Sequence, residues 1–316
     1  MPFERTYDPS IEEVAAAFPR FDVADISATR ARLDELLRIW KEEGLQRPSD
    51  PNVEEIDRSI PGPDGNTELP IRIYMPRDRQ TTGPAFVYFH GGGFVLGDLE
   101  AAHPRSLVMA ARAGTVAVSV DYRLAPEHPF PAGLEDCYAA LRWVVEHAPE
   151  LKIEPEQIVI GGDSAGGNLA AAVALLARDR AGPSIALQML FYPAIDDRCT
   201  TQSMMYGAGL YIWDYQNSVD MWNHYLGENR DNVSPYASPA RATDLAGLPP
   251  AFIVTAEHDP LRDEAVFYAI NLMNAGVPVE LHNYPGTVHG FDLMAPCDLS
   301  SRAIEDSVRA FQQAVR

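Results

Sequence analysis

Cysteine is scarce in this chain of 316 residues. Cys137, Cys199 and Cys297 are an odd number, far apart, with no C-x-x-C pair and no Cys/His group at zinc spacing, which excludes a disulfide scaffold and a thiolate metal site. Long apolar runs are missing too. The longest, such as Leu169 to Ala177, stop near ten residues, against the ~20 needed to cross a bilayer, so no membrane insertion is expected. Basic side chains are outnumbered, 25 against 45 acidic, for a formal charge of −20. A surface that negative repels phosphate backbones and anionic lipid and excludes nucleic acid as a partner. The opening MPFERTYDPS has charges and prolines where a secretory leader needs an apolar stretch, so a cytoplasmic protein is expected. Internal repeats and low-complexity segments are absent.

What is present is ordinary globular composition, 46% hydrophobic and 22% charged, on a chain about twice the ~150 residues typical of one domain. From about Ser10 to Glu43 the pattern is helical, with Leu33, Leu36, Leu37 and Trp40 forming one apolar stripe. Gly44 and the prolines at 48 and 51 end it. Val53 to Ile60 and Thr67 to Tyr74 flank the turn Pro61 to Asn66 and predict an antiparallel hairpin. Beyond Pro84 come uninterrupted apolar runs at 85–89, 115–120, 158–160, 185–191 and 251–256. They alternate with helical stretches at 132–147, 166–177 and 261–275, as buried parallel strands do. A last strand, Val277 to Tyr284, and a last helix, Leu299 to Val315, complete an α/β chain with a doubly wound, mostly parallel sheet. Residues 194–248 interrupt the alternation with a Tyr-, Trp- and Met-rich stretch, read as a helical insertion.

Chemistry concentrates in QIVIGGDSAGGNLA, where a strand ending at Ile160 runs through Gly162-Asp163-Ser164-Ala165-Gly166 into a helix. This is G-x-S-x-G in the strand-turn-helix setting of a nucleophile elbow. The turn is so tight that a side chain two residues either side of the serine would collide with strand or helix. The phosphate-cradling alternatives lack their lysine or their glycine spacing. His90-Gly91-Gly92-Gly93, at the end of the run 85–89, offers backbone N–H groups that converge with that of Ala165 on a developing oxyanion. His90 itself reads as structural. A serine nucleophile needs a base, and the base a carboxylate. In Ser, acid, His order, Asp259 after the run 251–256 and His289 in the PGTVHGF loop fit best. Glu257 and Asp263 remain rivals for the acid, and His258, His282 and His224 are weaker bases.

HGGGFVLGD, DYRLAPEHPFPAGLEDCYAAL, GDSAGGNLA, DPLRDE and VHGF, in this order, resemble the hormone-sensitive-lipase-like family of alpha/beta-hydrolases, the bacterial family IV carboxylesterases, over residues 53–316. The resemblance implies an alpha/beta-hydrolase catalytic domain (51–193 and 249–316) under a cap made of an N-terminal helical segment (1–50) and the insertion 194–248. It implies Ser164 as nucleophile, His289 as base, Asp259 as orienting acid, and Gly92, Gly93 and Ala165 as the oxyanion donors, with Gly91 as the alternative within the glycine loop. The DYRLAPE segment at 121–127 is expected to position loops through a buried Arg–Asp pair. The family's His-Asp after GDL is replaced here by Ala102-His103. Dimers are common in the family, so a homodimer is an expectation. No cofactor or metal is implied.

Trp40, Tyr206, Tyr211, Trp213 and Trp222 of the cap segments are the candidate walls of an apolar pocket for short- to medium-chain acyl esters, a small-molecule substrate. Two other functions share this machinery. An amidase or lactam hydrolase differs in leaving group, and a non-catalytic receptor would have lost the histidine retained here at 289.

Overall fold

The computed structural model describes residues 5–42, 47–228, 230–294 and 296–316, with backbone alone at Leu37, Trp40 and Lys41. Two helices come first, α1 (Pro9–Ala17) and α2 (Ile26–Glu42). The sequence predicted one continuous helical pattern here. The break falls where Phe18 turns extended, at φ −72° and ψ 136°, because the residue before Pro19 is pushed out of the helical region. Of the predicted stripe, Leu33 packs on the core, whereas the side chains of Leu37 and Trp40, and Gly44, lie outside the described residues.

The strands are β1 (Val53–Pro61), β2 (Glu68–Pro76), β3 (Gly83–Phe89), β4 (Val116–Val120), β5 (Ile153–Asp163), β6 (Leu187–Phe191), β7 (Ala251–His258) and β8 (Val279–Val288). They form one eight-stranded sheet in the order β1-β2-β4-β3-β5-β6-β7-β8. The predicted hairpin pairs Val53 with Pro76 and Pro61 with Glu68, and β2 runs antiparallel to β4. All other pairings are parallel. The remaining helices are α3 (Leu99–Val108), α4 (Ala132–Glu146), α5 (Ala148–Leu151), α6 (Ala165–Asp179), α7 (Gln202–Met205), α8 (Tyr215–Leu226), α9 (Arg262–Asn274), α10 (Phe291–Met294) and α11 (Asp298–Ala314).

Alternation along each strand builds two cores. On β3, Ala85, Val87 and Phe89 face the side covered by α4, α6 and α9. Phe86 and Tyr88 face the side covered by α3 and α11. Helix α3, which the apolar pattern did not reveal, is capped by Asp98, whose carboxylate accepts from the N–H groups of Glu100 and Ala101. Its end widens into a π-turn, Met109–Ala113. Among the described residues, no helix is long and apolar enough to cross a membrane.

Two expectations need correction. Strand β8 does not stop at Tyr284 but runs to Val288, resuming its pairing with His258 after a bulge in β8 over 285–287, so His289 sits at a strand end rather than in a free loop. The insertion 194–248 is only partly helical: α7, α8 and a 3-10 turn at Pro239–Arg241 are joined by loops. It is held to the N-terminal segment through Asn217, whose amide accepts from Val23 N–H and donates to Phe21 C=O, and through His224 against Val23 C=O.

Candidate active site

At the end of β5 the backbone turns sharply into α6, and Ser164 at the corner takes φ 55° and ψ −115°, a strained conformation for a residue with a Cβ. It is held there by its own backbone: Ser164 N–H donates to Phe191 C=O at 2.8 Å, and its C=O accepts from Asn168 and Ala194. The flanking glycines leave no room for side chains. A Cβ on Gly162 would come 2.2 Å from the carbonyl oxygen of Gly166, and one on Gly166 would come 2.0 Å from that of Phe89. The predicted elbow geometry is therefore present, and its steric reason is the close approach of β3 to the start of α6.

His289 Nδ1 lies 2.6 Å from Asp259 Oδ2, and both side chains are buried. The other oxygen of Asp259 accepts from Leu261 N–H at 2.9 Å. The rival carboxylates are engaged elsewhere. Glu257 accepts from Gly286 N–H, and Asp263 accepts from Ser203 N–H. The rival histidines are also held, His258 against Thr6 C=O, His282 against Glu280 and His224 against Val23 C=O. With Nδ1 committed to Asp259, the nitrogen of His289 left for chemistry is Nε2.

The glycine loop follows β3, and Phe89 pairs with Gly162 on β5, which brings the loop onto the elbow. A Cβ on Gly91 would lie 3.5 Å from that of Ser164. Among the described residues the N–H groups of Gly92, Gly93 and Ala165 make no loop or cap hydrogen bond. His90 is structural, as the sequence predicted. Its Nδ1 donates to Gly91 C=O, its ring stacks on Tyr122, and its own C=O accepts from the Tyr122 hydroxyl. Complete burial pushes its imidazole down to about 4, so it stays neutral.

The cap candidates separate on inspection. Trp213 is buried with its indole edge against Gly93 and its ring 6.0 Å from that of His289. Met221 joins it over Gly93. Trp222 packs on Phe94 as core. Tyr211 is not at the serine but against Tyr7 of the N-terminal arm. Tyr206 is 64% exposed and lines a cavity of 660 Å³ with Arg5, Leu210, His258, Asp259 and Arg262. The side chain of Trp40 lies outside the described residues.

Beyond the predicted set, the sequence reading missed a buried cluster under the elbow. Arg105 from α3 meets Asp163 and Asp292, and Tyr88 and Tyr192 complete the group. No local signal marked it, because α3 also carries Glu100, His103 and Ser106. Burial, with Asp292 nearby, raises Asp163 to about 6 against the pull of Arg105. Of the segments thought to position loops, Arg123 pairs with Asp136 on α4 rather than with Asp121. His103, in place of the usual aspartate, fastens Pro48 C=O and meets the Tyr74 hydroxyl.

Residues 86–293 match the alpha/beta hydrolase fold family. Carboxylesterase NlhH of Mycobacterium tuberculosis is 42% identical over 298 residues, covering 90% of this chain and 88% of that protein. Esterase LipI of the same organism is 42% identical over 289 residues, covering 90% and 87%. Among solved structures, a bacterial heroin esterase superposes with a TM-score of 0.93 at 41% identity, covering 98% of each chain.

Proposed function

This chain belongs to the alpha/beta hydrolase family, in its hormone-sensitive-lipase-like branch, and on that premise we propose a serine carboxylesterase in which Ser164, His289 and Asp259 form the triad. The observation that carries the reading is the buried His289–Asp259 pair at the ends of β8 and β7, beside an elbow that holds Ser164 in a strained turn. Its relatives named as esterases support the class of reaction.

His289 Nε2 takes the proton of Ser164 as Oγ attacks the ester carbonyl, forming a tetrahedral adduct. The oxyanion is received by N–H groups of Gly92, Gly93 and Ala165, with Gly91 alongside, each worth up to ~3 kcal/mol in the transition state. His289, now cationic and steadied by Asp259, gives its proton to the leaving alcohol. Water then releases the acid by the same route, with His289 again as base. Trp213 and Met221, packed on Gly93, bound the space above the serine. That wall favours short and medium acyl chains, and the insertion, held to the N-terminal segment through Asn217 and His224, acts as a cap that restricts access by lipid aggregates.

Purified protein is tested on p-nitrophenyl acetate, butyrate, octanoate and palmitate beside Ser164→Ala. Turnover of the short esters by the wild type alone is expected. Inertness across the panel, or an active alanine variant, overturns the reading.

A further inference from the structure

Beneath the proposed triad, α3 delivers Arg105 into the protein core, where it is 3% exposed. Its Nη2 donates to Asp292 Oδ2 at 2.8 Å and reaches the Tyr192 hydroxyl at 3.2 Å. Its Nε lies 2.9 Å from Asp163 Oδ1, and its guanidinium carbon sits 3.6 Å from the centre of the Phe191 ring. Each partner belongs to a segment that carries the site. Asp163 immediately precedes Ser164, and the C=O of Phe191 accepts from Ser164 N–H. Asp292 follows His289 by three residues. Tyr192 donates to Asp292 Oδ1 at 2.9 Å and packs edge-on against the His289 ring, 4.8 Å between centroids. Resting on the reading of Ser164 and His289 given above, we propose that Arg105 is a positioning residue. It ties the nucleophile strand to the histidine strand and, with Asp163 and Asp292, sets the electrostatic field in which His289 exchanges its proton.

The planar guanidinium is a rigid fork that meets two carboxylates and one ring face at once, which a flexible ammonium does not reproduce. Fixing both strands to one rigid group keeps Ser164 and His289 in their mutual geometry, and small misplacements of reacting groups are costly in rate. Charge acts alongside geometry. With Asp163 ionised, as it is above about pH 6, one cation against two carboxylates leaves the cluster negative, and the intervening Tyr192 is uncharged, so this field acts on the imidazolium. The other titratable groups around His289 are Asp259 in direct contact, Glu257 and His258 at the end of β7, Glu264 on α9, and Tyr88 on the far side of Asp163. The Arg105 cluster joins the nucleophile segment to the histidine segment.

The test is kcat/KM for p-nitrophenyl butyrate from pH 5 to 9 in wild type, Asp292→Asn, Tyr192→Phe and Arg105→Lys, with thermal melts to confirm folding. Asp292→Asn removes one negative charge while keeping shape. Its acid limb is expected to move to lower pH by about half a unit, on the order of one charge acting across one side chain. Tyr192→Phe and Arg105→Lys change no charge, so their midpoints stay while kcat falls about tenfold and KM holds within twofold. An unmoved midpoint in Asp292→Asn, or equal midpoint shifts in all three variants, overturns the proposal and leaves a purely structural ion pair. Inactive wild type, or active Ser164→Ala, would instead strike the triad reading on which it stands.

Discussion

A side chain on Gly93 would place its Cβ 2.8 Å from Cη2 of Trp213, so the tryptophan of the insertion and the glycine loop are in contact across the proposed site. Gly93 also takes φ +61°, where residues with a Cβ are strained. Gly93→Ala therefore meets a steric and a backbone obstacle together, and the loop must shift away from Ser164. A fall in kcat/KM of about 100-fold or more on p-nitrophenyl butyrate is expected, on the scale of a lost oxyanion donor. Adding Trp213→Ala restores part of it, because one of the two obstacles is then gone. Wild-type rates in Gly93→Ala would show that the loop does not receive the oxyanion.

Trp213→Ala alone has a different signature. The indole is buried, its N–H donates to Ser218 Oγ at 3.0 Å, and the preceding Ile212 is held at φ +66°. Removing it leaves space above Gly93 and costs about 3 kcal/mol or more in stability. The acyl-chain preference is expected to move toward octanoate and beyond. Trp213→Phe should shift it less. A chain-length profile identical to wild type in both variants would place the acyl chain elsewhere.

Asp259→Asn separates orientation from packing at the acid. The carboxylate is buried, accepts from Leu261 N–H, and meets His289 Nδ1. Asparagine keeps the volume but no longer fixes the imidazole with its proton on Nδ1. The kcat is expected to fall by about 10³ to 10⁴ with KM little changed. A loss under tenfold would mean that another group orients His289. Glu257 would then need to leave its bond to Gly286 N–H.

Much of this arrangement was legible in the residues, because its constraints are local. The turn at Ser164 demands glycine at 162 and 166 wherever it occurs, and a strand buried on both faces must read as an apolar run, as β3 and β6 do. What the sequence hid depends on distant partners. Helix α3 has a mixed surface because Arg105 faces inward to Asp163 and Asp292, 58 and 187 positions further on, so its periodicity is blurred. Strand β8 continues through Pro285 and Gly286 because Gly286 is braced by Asp8 and Glu257, contacts that no local pattern encodes. Tyr211 looked like a pocket wall, yet its partner is Tyr7, 204 residues earlier.

Asp121 offers a test of electrostatics on stability away from the reacting groups. It follows β4, is half-buried, and among the described residues its carboxylate meets no hydrogen-bond donor. Burial, and then the nearby charge of Asp98, raises it to about 6 from its ordinary 3.8. Below the ordinary value the group is neutral whether the chain is folded or not, and folding carries no electrostatic cost. As pH rises from about 4 to 6 the unfolded chain ionises first, so stability is lost across that window, and above it the full cost persists. Asp121→Asn removes the cost. Discounted for partial exposure to solvent, the gain at pH 8 is about 1 kcal/mol, or roughly 2 °C in Tm, and at pH 4 it shrinks to about a fifth of that. Urea unfolding at the two pH values measures it. An equal gain at both would mean that packing, not charge, accounts for the effect.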